Sequence, residues 1–194
     1  IRIQWVKRIR EWSTMRWPYH VHPILGGRHG VHPDAAWTVV SYDLARTDAI
    51  GRALAKGHYD LLILDEAHYL RETTSRRTRA VFGGGKDRTF AALASCCDRT
   101  LALTGTPLPN RPREAYTLAR GLCFDSIDWM SEDDFRERFN PSMRVERDYI
   151  NPETGSVEKK FFIDERTGRH AELQNRLRAN FMTRHMKREV MTQL

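Results

Sequence analysis

The chain has 194 residues, of which 40% are hydrophobic, and Lys plus Arg outnumber Asp plus Glu by 32 to 25, for a net charge of +7. That length allows one domain with a sizeable core, and the basic balance suits a polyanionic partner or simply a solvated basic face. Cys96, Cys97 and Cys123 form no CxxC pair, which argues against a disulfide framework and for a reducing, intracellular setting; no apolar run approaches the ~20 residues of a membrane span and no signal peptide is visible, so a soluble chain is expected.

The stretch 3–12 (IQWVKRIREW) places apolar residues at helical spacing with Lys7, Arg8 and Arg10 between them. This predicts a basic amphipathic helix, with Trp5, Ile9 and Trp12 in the core rather than stacked on nucleotides. A loop rich in histidine, glycine and proline follows over 19–33. His20, His22, His29 and His32 invite a zinc site, but no cysteine is near, and His-x-His turns its two rings to opposite sides of an extended chain. The stretch 36–42 (AWTVVSY) is a strand by its β-branched and aromatic content. Asp43 then suits the N-cap of a helix through Ala55, closed by Gly57.

At 61–68 four apolar residues run into Asp65-Glu66-Ala67-His68. A short apolar run ending in acids predicts a buried parallel strand whose C-terminal end projects charge into a crevice, where open α/β sheets place ligands. Two adjacent carboxylates can divide labour, one holding a metal ion and the other polarising a water. The plain alternative for Asp-Glu alone is an acidic helix cap. The run 71–80 is polar and basic, with Arg76, Arg77 and Arg79 in its second half.

Gly83-Gly84-Gly85-Lys86-Asp87-Arg88-Thr89 imitates a phosphate-binding loop. That loop needs Gly-x-x-x-x-Gly-Lys-Ser/Thr, so that amides wrap the phosphates and a hydroxyl reaches magnesium. Ala80 stands in place of the first glycine and Asp87 in place of the hydroxyl, so the stretch is a decoy, a flexible loop between helices. The run 90–97 (FAALASCC) predicts a buried helix, and 100–107 (TLALTGTP) a second apolar strand ending in a hydroxyl-glycine-hydroxyl-proline turn. A helix is expected over 112–122, and another from a Ser131 cap through Phe139, where capping explains Asp133-Asp134 better than a metal does. The pattern over 140–169 is irregular, with a short strand or anchor at 161–163; an amphipathic helix follows over 170–181.

The two strand ends carry a resemblance. Leu64-Asp65-Glu66-Ala67-His68-Tyr69-Leu70 and Leu103-Thr104-Gly105-Thr106-Pro107-Leu108-Pro109-Asn110 resemble motifs II and III of helicase-like ATPases, in the wording of the Swi/Snf group of double-stranded-DNA translocases and closest to its annealing-helicase-like and phage-encoded branch. Ser41-Tyr42-Asp43 resembles that family's "sYd" motif, where the chain leaves the sheet for a helix and Ser41 and Tyr42 would face DNA, although capping accounts for Asp43 without a partner. Arg71 keeps the charge of the family's lysine after motif II. Arg184, Lys187 and Val190 fit the segment that leaves the first lobe, with His185 where the family has a second arginine.

The resemblance implies an α/β fold: a RecA-like lobe with a mainly parallel sheet and helices on both faces, occupying about 1–125, then a mostly helical extension over 126–194. It implies ATP and magnesium as cofactors. Asp65 would hold the ion on the phosphates, Glu66 would serve as general base, and His68 with Thr104, Gly105 and Thr106 would couple the nucleotide to lobe motion. Nucleic-acid contacts are expected at Ser41, Tyr42, Arg71, Arg184 and Lys187. The implied partners are double-stranded or branched DNA and a second RecA-like lobe, with no membrane, in a nucleus or in bacterial or phage-host cytoplasm.

The 194 residues hold no phosphate loop. They are therefore expected to be a fragment of an ATP-driven motor, unable alone to bind ATP well or hydrolyse it, and with an unpaired edge beside the motif III strand that predicts poor solubility. Two rivals stand beside the motor: a non-catalytic DNA-binding or scaffold module derived from such a lobe, and a DEAH-type RNA helicase.

Overall fold

The computed structural model describes residues 2–14, 20–85, 89–105, 112, 114–153, 155–165 and 168–183, divided between two units, Ile1–Gly105 and Thr106–Leu194. No described helix is long and apolar enough to cross a membrane.

The first unit is α/β and its strands pair in parallel, in keeping with the expected fold class. Helix α1 (Arg2–Trp12) packs on strands β1 (Val21–Pro23) and β2 (Trp37–Val39). These two form a parallel pair with Val21 opposite Trp37 and Pro23 opposite Val39. Strand β3 (Tyr59–Leu64) pairs in parallel with β4 (Cys97–Ala102), Leu61 opposite Arg99 and Leu64 opposite Ala102. The core between the layers gathers Ile24, Ala45, Ile50, Leu54 and Leu93. Gly51 in this core is dictated by close approach, because a Cβ there would run into the ring of Phe90.

Several expectations are corrected. Trp12, the last residue of α1, is 78% exposed rather than in the core, and Trp5 and Ile9 are only half-buried. The cap after β2 is Ser41, not Asp43: Ser41 is extended and its Oγ accepts the Leu44 amide at 3.3 Å. Asp43 instead sits in the first turn and pairs with Arg46 at 3.1 Å. The single expected helix is two, α2 (Tyr42–Ala45) and α3 (Asp48–Ala55). Thr47 breaks them: it is extended, and its hydroxyl donates to the Leu44 carbonyl at 2.7 Å, offering the backbone an alternative to helix.

The expected helix at 90–97 is a single 3₁₀ turn, Leu93–Cys96. Cys97 is drawn out of it by pairing with Tyr59 in the sheet, a tertiary contact that overrides local propensity. Loop 83–85 closes helix α4 (Arg76–Phe82) instead of opening a helix, with Gly83, Gly84 and Gly85 all at positive φ. A phosphate loop must open a helix to aim amides at its ligand, so the decoy assignment gains support; Lys86, Asp87 and Arg88 lie outside the described residues.

Cys97 illustrates how burial tunes chemistry in this unit. Its thiol donates to the Leu93 carbonyl at 3.1 Å, and burial, with Cys96 and Asp98 adding to it, pushes its pKa from 9.0 up to about 11. A folded pKa above the unfolded one favours the native state below pH 9, and that contribution is lost as pH rises towards 11. Iodoacetamide at pH 9 is therefore expected to alkylate Cys97 more slowly in the native protein than in urea, read by peptide mass spectrometry; equal rates would contradict the burial argument.

The second unit is built on helices α5 (Glu114–Leu122), α6 (Glu132–Phe139) and α7 (His170–Asn180). Ser131 caps α6 as expected, accepting the Asp134 amide at 3.1 Å. The three helices enclose Tyr116, Ala119, Ile127, Phe135, Phe139, Leu173 and Leu177. Glu172 ties α7 to α6 through Arg138 at 2.7 Å, and hydrogen bonds from Arg138 first, then Arg176, hold its carboxyl below the usual range. The stretch expected to be irregular is a long antiparallel hairpin, β5 (Ser142–Ile150) and β6 (Val157–Glu165), with Val145 opposite Phe162. Asn151-Pro152 begins its turn, where Asn151 donates to Ser156 and Gly155 takes φ +69. Arg144 lies 3.8 Å over the Phe161 ring and Lys160 3.7 Å over Tyr149, so cross-strand cation–π pairs replace a buried face.

Candidate active site

The end of β3 is held by backbone stitching to the segment after β4. Leu103 N donates to Leu64 O at 2.8 Å and Ala67 N donates to Leu103 O at 2.9 Å, so the two strand ends are joined through the main chain itself. Leu64 is buried, and Ala67 and Leu70 are fully buried at either end of a 3₁₀ turn, Ala67–Leu70. With the apolar members of motif II turned inward, Asp65, Glu66 and His68 remain half-buried at the surface of the strand end. Glu66 sits in the left-handed region at φ 49 and ψ 50, a conformation that costs a non-glycine residue of order 1 kcal/mol and collects at functional sites.

The side chains form a chain of contacts. His68 Nδ1 lies 3.1 Å from Glu66 Oε2 and 3.2 Å from Thr104 Oγ1. A carboxylate only accepts, so Nδ1 carries the proton in the Glu66 contact. The sequence-predicted acid, histidine and motif III hydroxyl are thereby brought together. Gly105 follows at an exposed position, and Thr106 lies outside the described residues.

Asp65 is gripped from three directions. Its Oδ1 accepts the Glu66 amide at 3.1 Å, its Oδ2 accepts the Trp5 indole N–H at 2.8 Å, and its carbonyl accepts the Tyr42 hydroxyl at 2.9 Å. Burial is the main reason the Tyr42 pKa is raised well above the ordinary tyrosine range, and the Asp65 and Glu66 charges add to it. Trp5, Arg8, Trp12 and Trp37 join the two acids in lining a cleft of about 750 Å³.

The expected nucleic-acid contacts are placed unevenly. Ser41 spends its hydroxyl on the α2 cap, while Tyr42 points its hydroxyl at Asp65. Arg71 is exposed just past the motif II turn, and Arg184 and Lys187 lie outside the described residues. Arg77, on α4, lies 5.9 Å over the ring of Tyr69 and 4.0 Å from Asp43. In the histidine-rich loop, His22 Nε2 contacts the Gly30 carbonyl at 2.8 Å and its ring lies 5.8 Å from that of His32; among the described residues no group of three or more His, Cys, Asp or Glu could hold a metal ion. Trp5 is the site residue that sequence reasoning missed. Its helical spacing marks it only as apolar, and nothing local signals an acceptor 60 positions away.

Comparison with known proteins identifies the family. Residues 3–194 match the SNF2-related domain. The mouse DNA annealing helicase and endonuclease ZRANB3 is 24% identical over 197 residues, covering 100% of this chain and 16% of that protein. The yeast TATA-binding protein-associated factor MOT1 is 30% identical over 161 residues, covering 83% of this chain and 7% of that protein. Helicase SWR1 of Cryptococcus neoformans is 28% identical over 177 residues, covering 86% and 12%. The chain thus spans less than a fifth of the length of each. With a family match running almost end to end, the chain belongs to the SNF2-related domain family.

Proposed function

We propose that the intact protein carrying this chain is a DNA-dependent ATPase that moves along double-stranded or branched DNA, and that Asp65, Glu66 and His68 belong to its nucleotide site. The observation that supports this best is the Glu66–His68–Thr104 contact chain, which links the candidate base to the motif III turn through His68 contacts of 3.1 and 3.2 Å. Family membership and the annealing-helicase and helicase names of the relatives point the same way.

The donor set at Asp65 fits magnesium. That ion keeps several waters and uses one or two carboxylates plus substrate phosphates rather than an all-protein cage, and each Asp65 oxygen, engaged by one donor, keeps acceptor capacity. Asp65 would hold the ion, which when bound supplies neutralisation of phosphate charge. Glu66 orients the attacking water and accepts its proton on a carboxylate oxygen. His68 holds Glu66 in place from Nδ1, and its second neighbour, Thr104, carries the state of the site into motif III. Phosphoryl transfer needs little beyond positioning and charge stabilisation, with the phosphate loop and the second RecA-like lobe supplied from outside these 194 residues.

Movement on duplex is tested by triplex displacement with the intact protein. ATP-dependent release of a third strand is the expected result. Hydrolysis stimulated by DNA without displacement would remove translocation from the proposal.

A further inference from the structure

The nucleotide-site residues are reached by a donor from outside either motif. Trp5 approaches from α1, a helix that carries Lys7, Arg8 and Arg10 and packs on the β1–β2 pair rather than on the β3–β4 pair. Its indole has one N–H and no acceptor, so the 2.8 Å contact with Asp65 Oδ2 is one-way and charge-assisted. It leaves the carboxylate one strongly favoured orientation: Oδ2 is fixed by the indole, Oδ1 by the amide of Glu66, and the main chain at Asp65 by the Tyr42 hydroxyl. Both Trp5 and Asp65 line the same cleft, so the contact lies at the wall of a space large enough for a ligand.

We infer that Trp5 is a positioning residue for Asp65, its indole N–H holding the carboxylate in the orientation that binds magnesium, so that α1 forms part of the nucleotide site. The inference rests on the proposed nucleotide-site role of Asp65 and adds to it a residue from outside both motifs. Partners of this kind set the orientation of a metal-binding side chain, and their loss weakens metal affinity by about 10–100-fold. A Trp5 that served only to anchor α1 would act through its ring and would not need its N–H.

Trp5→Phe in the intact protein separates the two roles, since it keeps an aromatic ring and removes the donor. The magnesium concentration giving half-maximal hydrolysis is expected to rise about ten-fold or more, with the rate at saturating magnesium largely recovered. The second readout is independent of activity. In a ¹⁵N-labelled sample the Trp5 indole N–H resonance, identified by its loss in Trp5→Phe, is expected to shift upfield in Asp65→Ala. Where Phe disturbs α1, benzothienylalanine at position 5 keeps the fused ring and replaces N–H by sulfur. An indole resonance indifferent to Asp65→Ala would overturn the contact, and an unchanged magnesium dependence without the N–H would overturn its role. Failure of the underlying site assignment reads differently: Asp65→Ala would then hydrolyse ATP with the magnesium dependence of the wild type, whatever the indole signal does.

Discussion

Glu66→Gln in the intact protein is expected to lower duplex-stimulated ATP hydrolysis by about 10²–10⁴-fold, the usual contribution of a positioned general base. The substitution is nearly isosteric. The amide oxygen can still accept from His68 Nδ1, now 3.1 Å from the carboxylate, so the link through His68 to Thr104 survives while the basic oxygen is lost. Duplex binding, measured by gel shift, should therefore stay within a few-fold of wild type while phosphate release collapses. A near-wild-type rate would remove Glu66 as the base. The left-handed backbone at Glu66 sharpens the expectation, because a strained residue at a strand end is retained where its side chain must be aimed.

The second large effect is on the helical unit. Phe135 is fully buried, with its ring 5.3 Å from Tyr116 and 4.8 Å from Phe139, and it shares a core with Ile127, Leu173 and Leu177. Truncating such a ring leaves a cavity that its neighbours only partly fill. Phe135→Ala should cost about 3–5 kcal/mol, read as earlier urea unfolding and faster proteolysis within α5–α7. A loss below about 1 kcal/mol would mean that the site collapses freely or that this core is less closely packed than its burial indicates.

What the sequence made legible was whatever is specified locally. Motif II reads directly because an apolar strand must stop where Asp65 and Glu66 begin, and motif III because Gly105 and Pro107 punctuate the run before them. The Ser131 cap reads for the same reason, a hydroxyl ahead of three acids at a helix start. Local signals failed where a distant partner decides. Cys97 looks helical beside Phe90 and Leu93, yet pairing with Tyr59 makes it strand. Val21–Pro23 is hidden in a histidine-rich stretch because a three-residue strand has no periodicity to show. Of the β5–β6 hairpin only the strand at 161–163 is legible, because neither face is buried: Ile163 is 76% exposed and Phe161 57% exposed, so charged and apolar residues mingle along both strands and the usual alternation is blurred. Trp12 misled in the opposite direction, an apolar residue at core spacing left on an exposed helix end.

The Trp5–Asp65 contact belongs to the same group. From sequence, Trp5 and Trp12 are equivalent members of one stripe. In the structure one donates to a candidate metal ligand, while the other lies under Arg8 at 5.9 Å. The distinction depends on how α1 packs on β1 and β2, which no window of the sequence contains.

The most direct measurement is ATP hydrolysis by the intact protein in the absence of nucleic acid, with duplex DNA, and with RNA. A low basal rate and strong stimulation by duplex are expected, with RNA having little effect. Stimulation by RNA alone would assign a DEAH-type RNA helicase instead. No hydrolysis in any condition by the folded protein would contradict the motor outright, leaving Asp65 and Glu66 as remnants in a DNA-binding module.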